Sequence, residues 1–368
     1  MTLHRTPAAY YRGGTSKALV FRAADLPADR AAQDRLLLAA MGVPDPSGRN
    51  LDGMGGGLSS LNKVCIVGPS SHAGADVDFT FVQLSPDSDV VDYGGNCGNM
   101  SAAIGPFALE EGLVAGPADG EAAVTIHNTN TGKLIRARFP VAGGALAADG
   151  DLAIDGVAGT AAPIRLEFLS PGGAKTGRLL PTGNALDVLE VPGLGRIEVS
   201  LVDAANPAVF LRAEALGKTG AELPQELEAD AAFLAAMEAI RLAGAEAMGM
   251  PRAASVPKVA LLAAPANAPV LSGEVLKAQD HDIAIRMISV GQPHRAVPVT
   301  GAVCLAVAAR LPGTIAHALC ASTEGAIRIG HASGTLLVDA EVSGGNAEWG
   351  AVYRTARRLF EGQVVWRD

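Results

Sequence analysis

The stretch VVDYGGNCGNMSAAIGPFALEEG, Val90 to Gly112, seats a cysteine among asparagines and glycines at the point where an apolar helix begins. Buried structural cysteines normally sit inside apolar runs. Cys97 instead follows Asn96 and precedes Gly98 and Asn99, which leave the backbone around it open. The segment beyond it, MSAAIGPFALEEGLV, reads as a helix that Pro106 kinks or divides. A thiol at a helix N-terminus faces the positive end of the macrodipole and unpaired backbone N–H groups, which favour a thiolate. A thiolate so placed can take a proton from carbon while the amides of Gly98 and Asn99 hold a carboxylate.

Around this stretch the first half alternates short strands with glycine turns. AYYRGG, KALVFR, NKVCIVG and VDFTFVQLS read as strands, and AAVTIHNTNTGKLIRARFPV as a hairpin turning near NTNTGK. DLPADRAAQDRLLLAAMG reads as a helix with Asp25 as its N-cap and Gly42 at its end. The second half repeats the style. ELEADAAFLAAMEAIRLAGAEAMG reads as one amphipathic helix, and PVTGAVCLAVAARLPG as a second glycine-introduced apolar helix among strands. The expectation is an α+β fold of two similar domains, residues 1–182 and 183–368. The boundary falls near LLPTGNALD, and the final strand is free to return to the first domain.

Of the 368 residues, 49% are hydrophobic and only 4% aromatic, so the core must be built from Ala, Val, Leu and Ile. The net charge of −9, with no basic run beyond RTARR near the C-terminus, argues against a nucleic-acid partner. A small anionic substrate fits, because a few inward-facing cations can dominate a pocket. Cys65, Cys97, Cys304 and Cys320 show neither CxxC spacing nor paired histidines, so no metal site and no disulfide framework is expected. There is no apolar leader and no apolar run long enough to span a bilayer. We therefore expect a cytoplasmic protein without membrane contact.

Lys63, in LDGMGGGLSSLNKVCIVG, stands between a glycine-rich turn and an apolar strand, where partial desolvation makes a lysine a usable acid or base. A lysine at a strand start also commonly snorkels to water. YRGGTSKALVF sets Arg12, Thr15, Ser16 and Lys17 around a Gly-Gly turn, either as an anion-binding nest or as an ordinary hairpin end. In QPHRAVPVTGAVCLAVA, His294 and Arg295 precede Thr300 and Gly301 at another helix start, mirroring the first half. His331, in a turn before a strand, is a further candidate, although a lone histidine there is more often structural. Cys65, Cys304 and Cys320 read as core.

YYRGGTSKALVF, DGMGG followed by SS and NKV, GGNCGNMSAAIGPFA, LPTGN and RTARRLFEG together resemble the PrpF family of the diaminopimelate epimerase-like superfamily. The resemblance runs from Tyr10 to Gly362. It implies two pseudo-symmetric domains, each a sheet wrapped around a central helix. It also implies a cofactor-independent allylic isomerase or tautomerase of unsaturated di- or tricarboxylates: 2-methylaconitate, 4-oxalomesaconate or methylitaconate. In that family a lysine and a cysteine face each other across the substrate, and the matching positions are Lys63 and Cys97. The resemblance adds weight to Thr15, Ser16 and Lys17 and brings in Ser60 and Asn96 as substrate contacts. Where the family pattern reads TSSTSK, this chain reads LSSLNK, which places Leu61 and Asn62 beside the lysine. GNCGNMSAA lies nearer the methylaconitate-type pattern than the oxalomesaconate type. Two rival readings stand beside the isomerase. One is an accessory protein to an aconitase-like enzyme. The other is an amino-acid racemase or epimerase, which needs a second cysteine where this chain has Pro298. A homodimer stays open.

Overall fold

The computed structural model describes residues 2–94, 97–251, 256–289, 291–322 and 324–367. In chain order the elements of the N-terminal part are β1 Leu3–Gly13, β2 Ser16–Arg22, α1 Arg30–Met41, β3 Lys63–Pro69, β4 Val77–Gln83, α2 Gly98–Glu110, β5 Gly120–Asn128, β6 Lys133–Ala142, β7 Ala145–Leu146 and β8 Ile164–Leu169. They continue with β9 Asp187–Val191, β10 Gly195–Ala204, β11 Asn206–Arg212, α3 Pro224–Ala229, α4 Ala231–Ala247, β12 Lys258–Ala263, β13 Ala268–Pro269, β14 Val275–Leu276 and β15 Ile283–Ser289. Last come β16 Gln292–Pro293, α5 Val299–Ala309, α6 Ile315–Leu319, β17 Ile327–His331, β18 Gly334–Ser343, β19 Asn346–Arg354 and β20 Ala356–Arg367. The fold is α+β, and the chain forms two units, Met1–Glu167 with Tyr353–Asp368, and Phe168–Val352.

In the first unit β1 and β2 form a hairpin through the two-residue turn Gly14-Thr15, with Gly13 opposite Ser16. β2 runs parallel to β3, with Ala18 opposite Lys63, and β3 runs antiparallel to β4, with Lys63 opposite Gln83. The C-terminal β20 lies antiparallel along the length of β1. These strands, with β5 and β6, pack around α2, whose residues from Met100 to Ala108 are all buried. A helix apolar on every side has to be central. It runs through Pro106 undivided. Its C-terminal end is anchored at Glu110, which accepts from the Tyr11 hydroxyl at 2.5 Å and from Arg358 Nε at 2.8 Å. Arg358 also reaches Glu111 at 3.0 Å, so this end of the helix is tied to both β1 and β20.

Three boundaries differ from the sequence reading. α1 starts at Arg30, with Asp29 rather than Asp25 as its N-cap, accepting from Ala32 N at 2.8 Å. Pro27 forces the residue before it out of the helical region, and Leu26 is accordingly extended, so no helix can start at Asp25. The long amphipathic segment of the second half is two helices, α3 and α4. Asp230 stands between them, capping Phe233 N at 2.9 Å and holding Lys218 at 2.8 Å. The units divide between Glu167 and Phe168 rather than near residue 182. Pairing of β8 with β6 keeps the chain in the first unit to that point. There the buried Glu167 carboxylate sits among Arg136, Arg138 and Arg165 at 2.7–3.3 Å.

The second unit repeats the pattern of the first. β11 runs parallel to β12 and β12 antiparallel to β15, and the apolar α5 packs on β10, β11 and β18. Ala208, the third residue of β11, lies opposite Lys258, the first of β12, as Ala18 lies opposite Lys63 in the first unit. Each unit has its own apolar cluster, one around Phe21, Leu37, Met41 and Val64, the other around Leu201, Val209, Met237 and Leu261. Among the described residues no helix is long and apolar enough to cross a membrane.

Candidate active site

Cys97 is the N-cap of α2, buried, with extended backbone, and its carbonyl accepts from Ser101 N at 3.0 Å. Its side chain makes no capping bond and it is a free thiol, so the first-turn amides and the sulfur lie at one helix end. Lys63 opens β3. Its Nζ donates to Gln83 Oε1 at 2.8 Å and stands 5.0 Å from the centre of the Phe81 ring. Gln83 is itself fixed, because Nε2 donates to the carbonyls of Ser59, Asn62 and Leu84 at 2.8–3.0 Å, which turns its oxygen to the lysine. Two residues further along β3, on the same face as Lys63, the Cys65 thiol is fully buried. Burial pushes its pKa well up, Cys97 adds to that push, and Lys63 opposes it. Lys63 opens β3 and Cys97 starts α2, two elements of the first unit that are in contact.

The RGGTSK turn packs against the same helix end. A Cβ at Gly13 would lie 2.6 Å from the carbonyl oxygen of Asn99, so this approach requires glycine. Asn99 Nδ2 donates to Thr15 Oγ1 at 3.1 Å, and its Oδ1 accepts from Arg354 Nε at 3.2 Å. Arg12 braces the turn: Nη1 donates to the carbonyls of Gly14 and Thr355 at 3.0 Å and to Thr355 Oγ1 at 2.9 Å. Lys17 Nζ stands 5.7 Å from the Tyr10 ring centre, and Ser16 is buried between them in the chain. Ser60 lies half-buried in the short turn that leads into Lys63. Of the expected first-unit residues, only Asn96 lies outside the described ones.

His294, Arg295, Thr300 and Gly301 gather at the start of α5 in the second unit. His294 N donates to Met287 O at 2.8 Å, and the Arg295 carbonyl accepts from Ser333 Oγ at 2.7 Å. Gly301 is a packing position, since a Cβ there would meet the Met287 sulfur at 2.8 Å. Pro298 is the N-cap, so this helix end carries no thiol where α2 carries Cys97. Asn62 does not line the lysine. It is wholly buried, with Oδ1 accepting from Asn50 Nδ2 at 2.9 Å and Nδ2 donating to Leu58 O at 3.0 Å and to Gly56 O. It pins the glycine-rich loop ahead of β3. Gln83 and Arg354 escaped the sequence reading. The only sign of Arg354 was the basic RTARR run, and nothing local marked Gln83. No group of three or more His, Cys, Asp or Glu among the described residues is disposed to hold a metal.

The first unit thus holds a thiol at a helix end, a lysine bound to a neutral amide and the RGGTSK turn packed against the same helix. A family model described as PrpF protein matches residues 3–367. The chain belongs to the PrpF family. It is 42% identical over 382 residues to the 2-methyl-aconitate isomerase of Shewanella oneidensis, covering 98% of this chain and 96% of that one. It is also 42% identical over 364 residues to the (4E)-oxalomesaconate Delta-isomerase of Novosphingobium sp. (strain KA1), covering 97% and 96%. A solved methylitaconate-delta-isomerase shares the fold with a TM-score of 0.93 at 40% identity, covering 100% of this chain and 96% of that one. Like its PrpF relatives, the chain is an isomerase.

Proposed function

We propose that this isomerase moves a carbon–carbon double bond by one position in an unsaturated di- or tricarboxylate, through a 1,3-proton shift carried by Cys97 and Lys63. One of the two removes a proton from the carbon allylic to the alkene. The electron pair left behind delocalises through the alkene into a conjugated carboxylate, giving a dienolate. The other residue then delivers a proton to the far allylic carbon, and the double bond re-forms one position along. Carbon acids of this kind are weak, so much of the rate has to come from donors fixed where the dienolate charge develops. The first amides of α2 and the RGGTSK turn are suited to that part. The reading rests on one observation above others: Cys97 caps the start of α2 with a free thiol that makes no side-chain capping bond. The reaction class is that of the relatives' names, and 2-methylaconitate or an aconitate-type acid is the first candidate substrate, with 4-oxalomesaconate and methylitaconate as the alternatives.

The test is proton NMR in D₂O with the purified protein and 2-methylaconitate, cis- and trans-aconitate, 4-oxalomesaconate and methylitaconate. Expected is bond migration with deuterium entering an allylic carbon for at least one of them. Cys97→Ser and Lys63→Met should each lower the rate by about 10²-fold or more. Full exchange by both variants would remove Cys97 and Lys63 from the chemistry. No exchange by the folded wild-type protein would overturn the substrate class.

A further inference from the structure

Four cations stand on the strands and turn beside α2, Arg12, Lys17, Lys63 and Arg354, of which Lys17 lies on the sheet face of Tyr10, turned away from the helix. Each is held by something neutral. Lys63 has an amide oxygen, Arg12 has carbonyls and a hydroxyl, and Lys17 stands beside an aromatic ring. Arg354 has the Asn99 amide oxygen at 3.2 Å and the carbonyl of Tyr353 at 3.0 Å. Among the described residues none of the four makes an ion pair with a carboxylate. Arg358, four residues from Arg354 on the next strand, shows the opposite arrangement, with Glu110, Glu111 and Glu361 at 2.5–3.0 Å.

Arg354 ends β19 with its guanidinium at the first turn of α2. The residue is half-buried, and desolvation pulls its guanidinium down to about 10 with nothing raising it. A desolvated guanidinium without an anion is a standing cost to the fold. Its direction is set by Asn99, whose NH₂ is engaged by Thr15 Oγ1 so that its oxygen faces Nε. Asn99 also belongs to the first turn of α2, where the unpaired amides lie. A planar fork held beside free helix amides matches a carboxylate.

We infer that Arg354 is a substrate-binding residue: it receives one carboxylate of the substrate, with Asn99 as the bracket that aims its guanidinium across the start of α2. The assignment rests on the carboxylate reading above. It makes a second anionic group on the substrate a requirement, since one carboxylate must conjugate with the reacting carbons while another is held by the arginine.

The experiment uses the full chain with Arg354→Gln, Arg354→Lys and Arg354→Ala. Binding of the inert propane-1,2,3-tricarboxylate is measured by calorimetry, and kcat and KM on whichever acid the wild-type protein turns over. Expected is binding weakened at least about tenfold in Arg354→Gln, with a matching rise in KM and a smaller loss in Arg354→Lys. Millimolar guanidinium should restore part of the affinity of Arg354→Ala. The midpoint of thermal unfolding should stay level or rise, because a desolvated cation has been removed; a purely structural arginine would lower it. Equal binding of the tricarboxylate by wild type and Arg354→Gln would overturn the inference, as would absence of binding to the wild type. Failure of the wild type to exchange protons with any acid, while it still binds the tricarboxylate through Arg354, would instead overturn the isomerisation proposal alone.

Discussion

Gly14 closes the β1–β2 turn at φ +51°, and a side chain there would run into Asn99. Both the backbone conformation and the space exclude a Cβ. Gly14→Ala is expected to cost about 1–3 kcal/mol of stability, and because Asn99 must move it should also raise KM. Urea denaturation and steady-state kinetics on one preparation separate the two effects. Under the proposed mechanism Gln83, bonded to Lys63 Nζ at 2.8 Å, acts through the lysine as a positioning residue. Gln83→Ala should lower kcat by about ten- to a hundredfold, the scale of a misplaced reacting group, with KM little changed. An unaltered kcat would show that Lys63 needs no such support. Asp45 illustrates titration away from the site. Donors from Ser47, Asn50 and Arg49 hold its carboxylate down at about 2. Its ordinary value is about 4. The folded value being the lower one, its contribution to stability is complete above about pH 4 and fades as pH falls towards 2. Wild type and Asp45→Asn should therefore differ in urea midpoint at neutral pH and converge in strong acid.

Among the elements, the glycine-rich loop before β3 and the helix α2 do most to place the two candidate proton carriers. The loop has almost no side chains to pack, so it depends on the Asn62 amide that binds Asn50, Gly56 and Leu58. Asn62→Ala would leave buried polar groups unpaired, for which about 1–3 kcal/mol is expected, and would loosen the approach to Lys63. A urea series reads the first effect, and hydrogen exchange over residues 50–62 reads the second. α2 is held oppositely at its two ends. Its C-terminal end is tied by the Tyr11–Glu110–Arg358 network, while at its N-terminal end the Cys97 side chain makes no capping bond. α5 has the same burial and the same place in its unit but starts at Pro298, which has no proton to exchange. This is the physical reason that a mechanism using one cysteine from each domain does not suit the chain.

For the molecule as a whole, the last strand matters most. β20 supplies the whole antiparallel partner of β1, and with it Arg358. A chain ending at Thr355 would leave β1 with an open edge and Glu110 and Glu111 without their cation. We expect such a truncation to lose cooperative unfolding of the first unit, visible in calorimetry as a missing or broadened transition. A net charge of −9 also makes the local arrangement at α2 unusual.

Much of this was legible in the chain itself. The glycine and asparagine setting of Cys97, the apolar helix after it, the β-branched strands and the paired style of the two halves follow from local chemistry: turn propensity, side-chain period and the exposed amides of a helix start. Asp29 as a cap was legible too, once Pro27 is taken into account. What only the tertiary structure decided is which distant groups meet. The Lys63–Gln83 pair depends on strand register, and Arg354 reaches Asn99 only because the chain returns through β19 and β20 to the first unit. Neither register nor return leaves a mark in any short window, because both are set by the packing of whole strands around α2. Local propensity can say where a thiol stands on a helix. The charges that will face it are chosen by the sheet that wraps it.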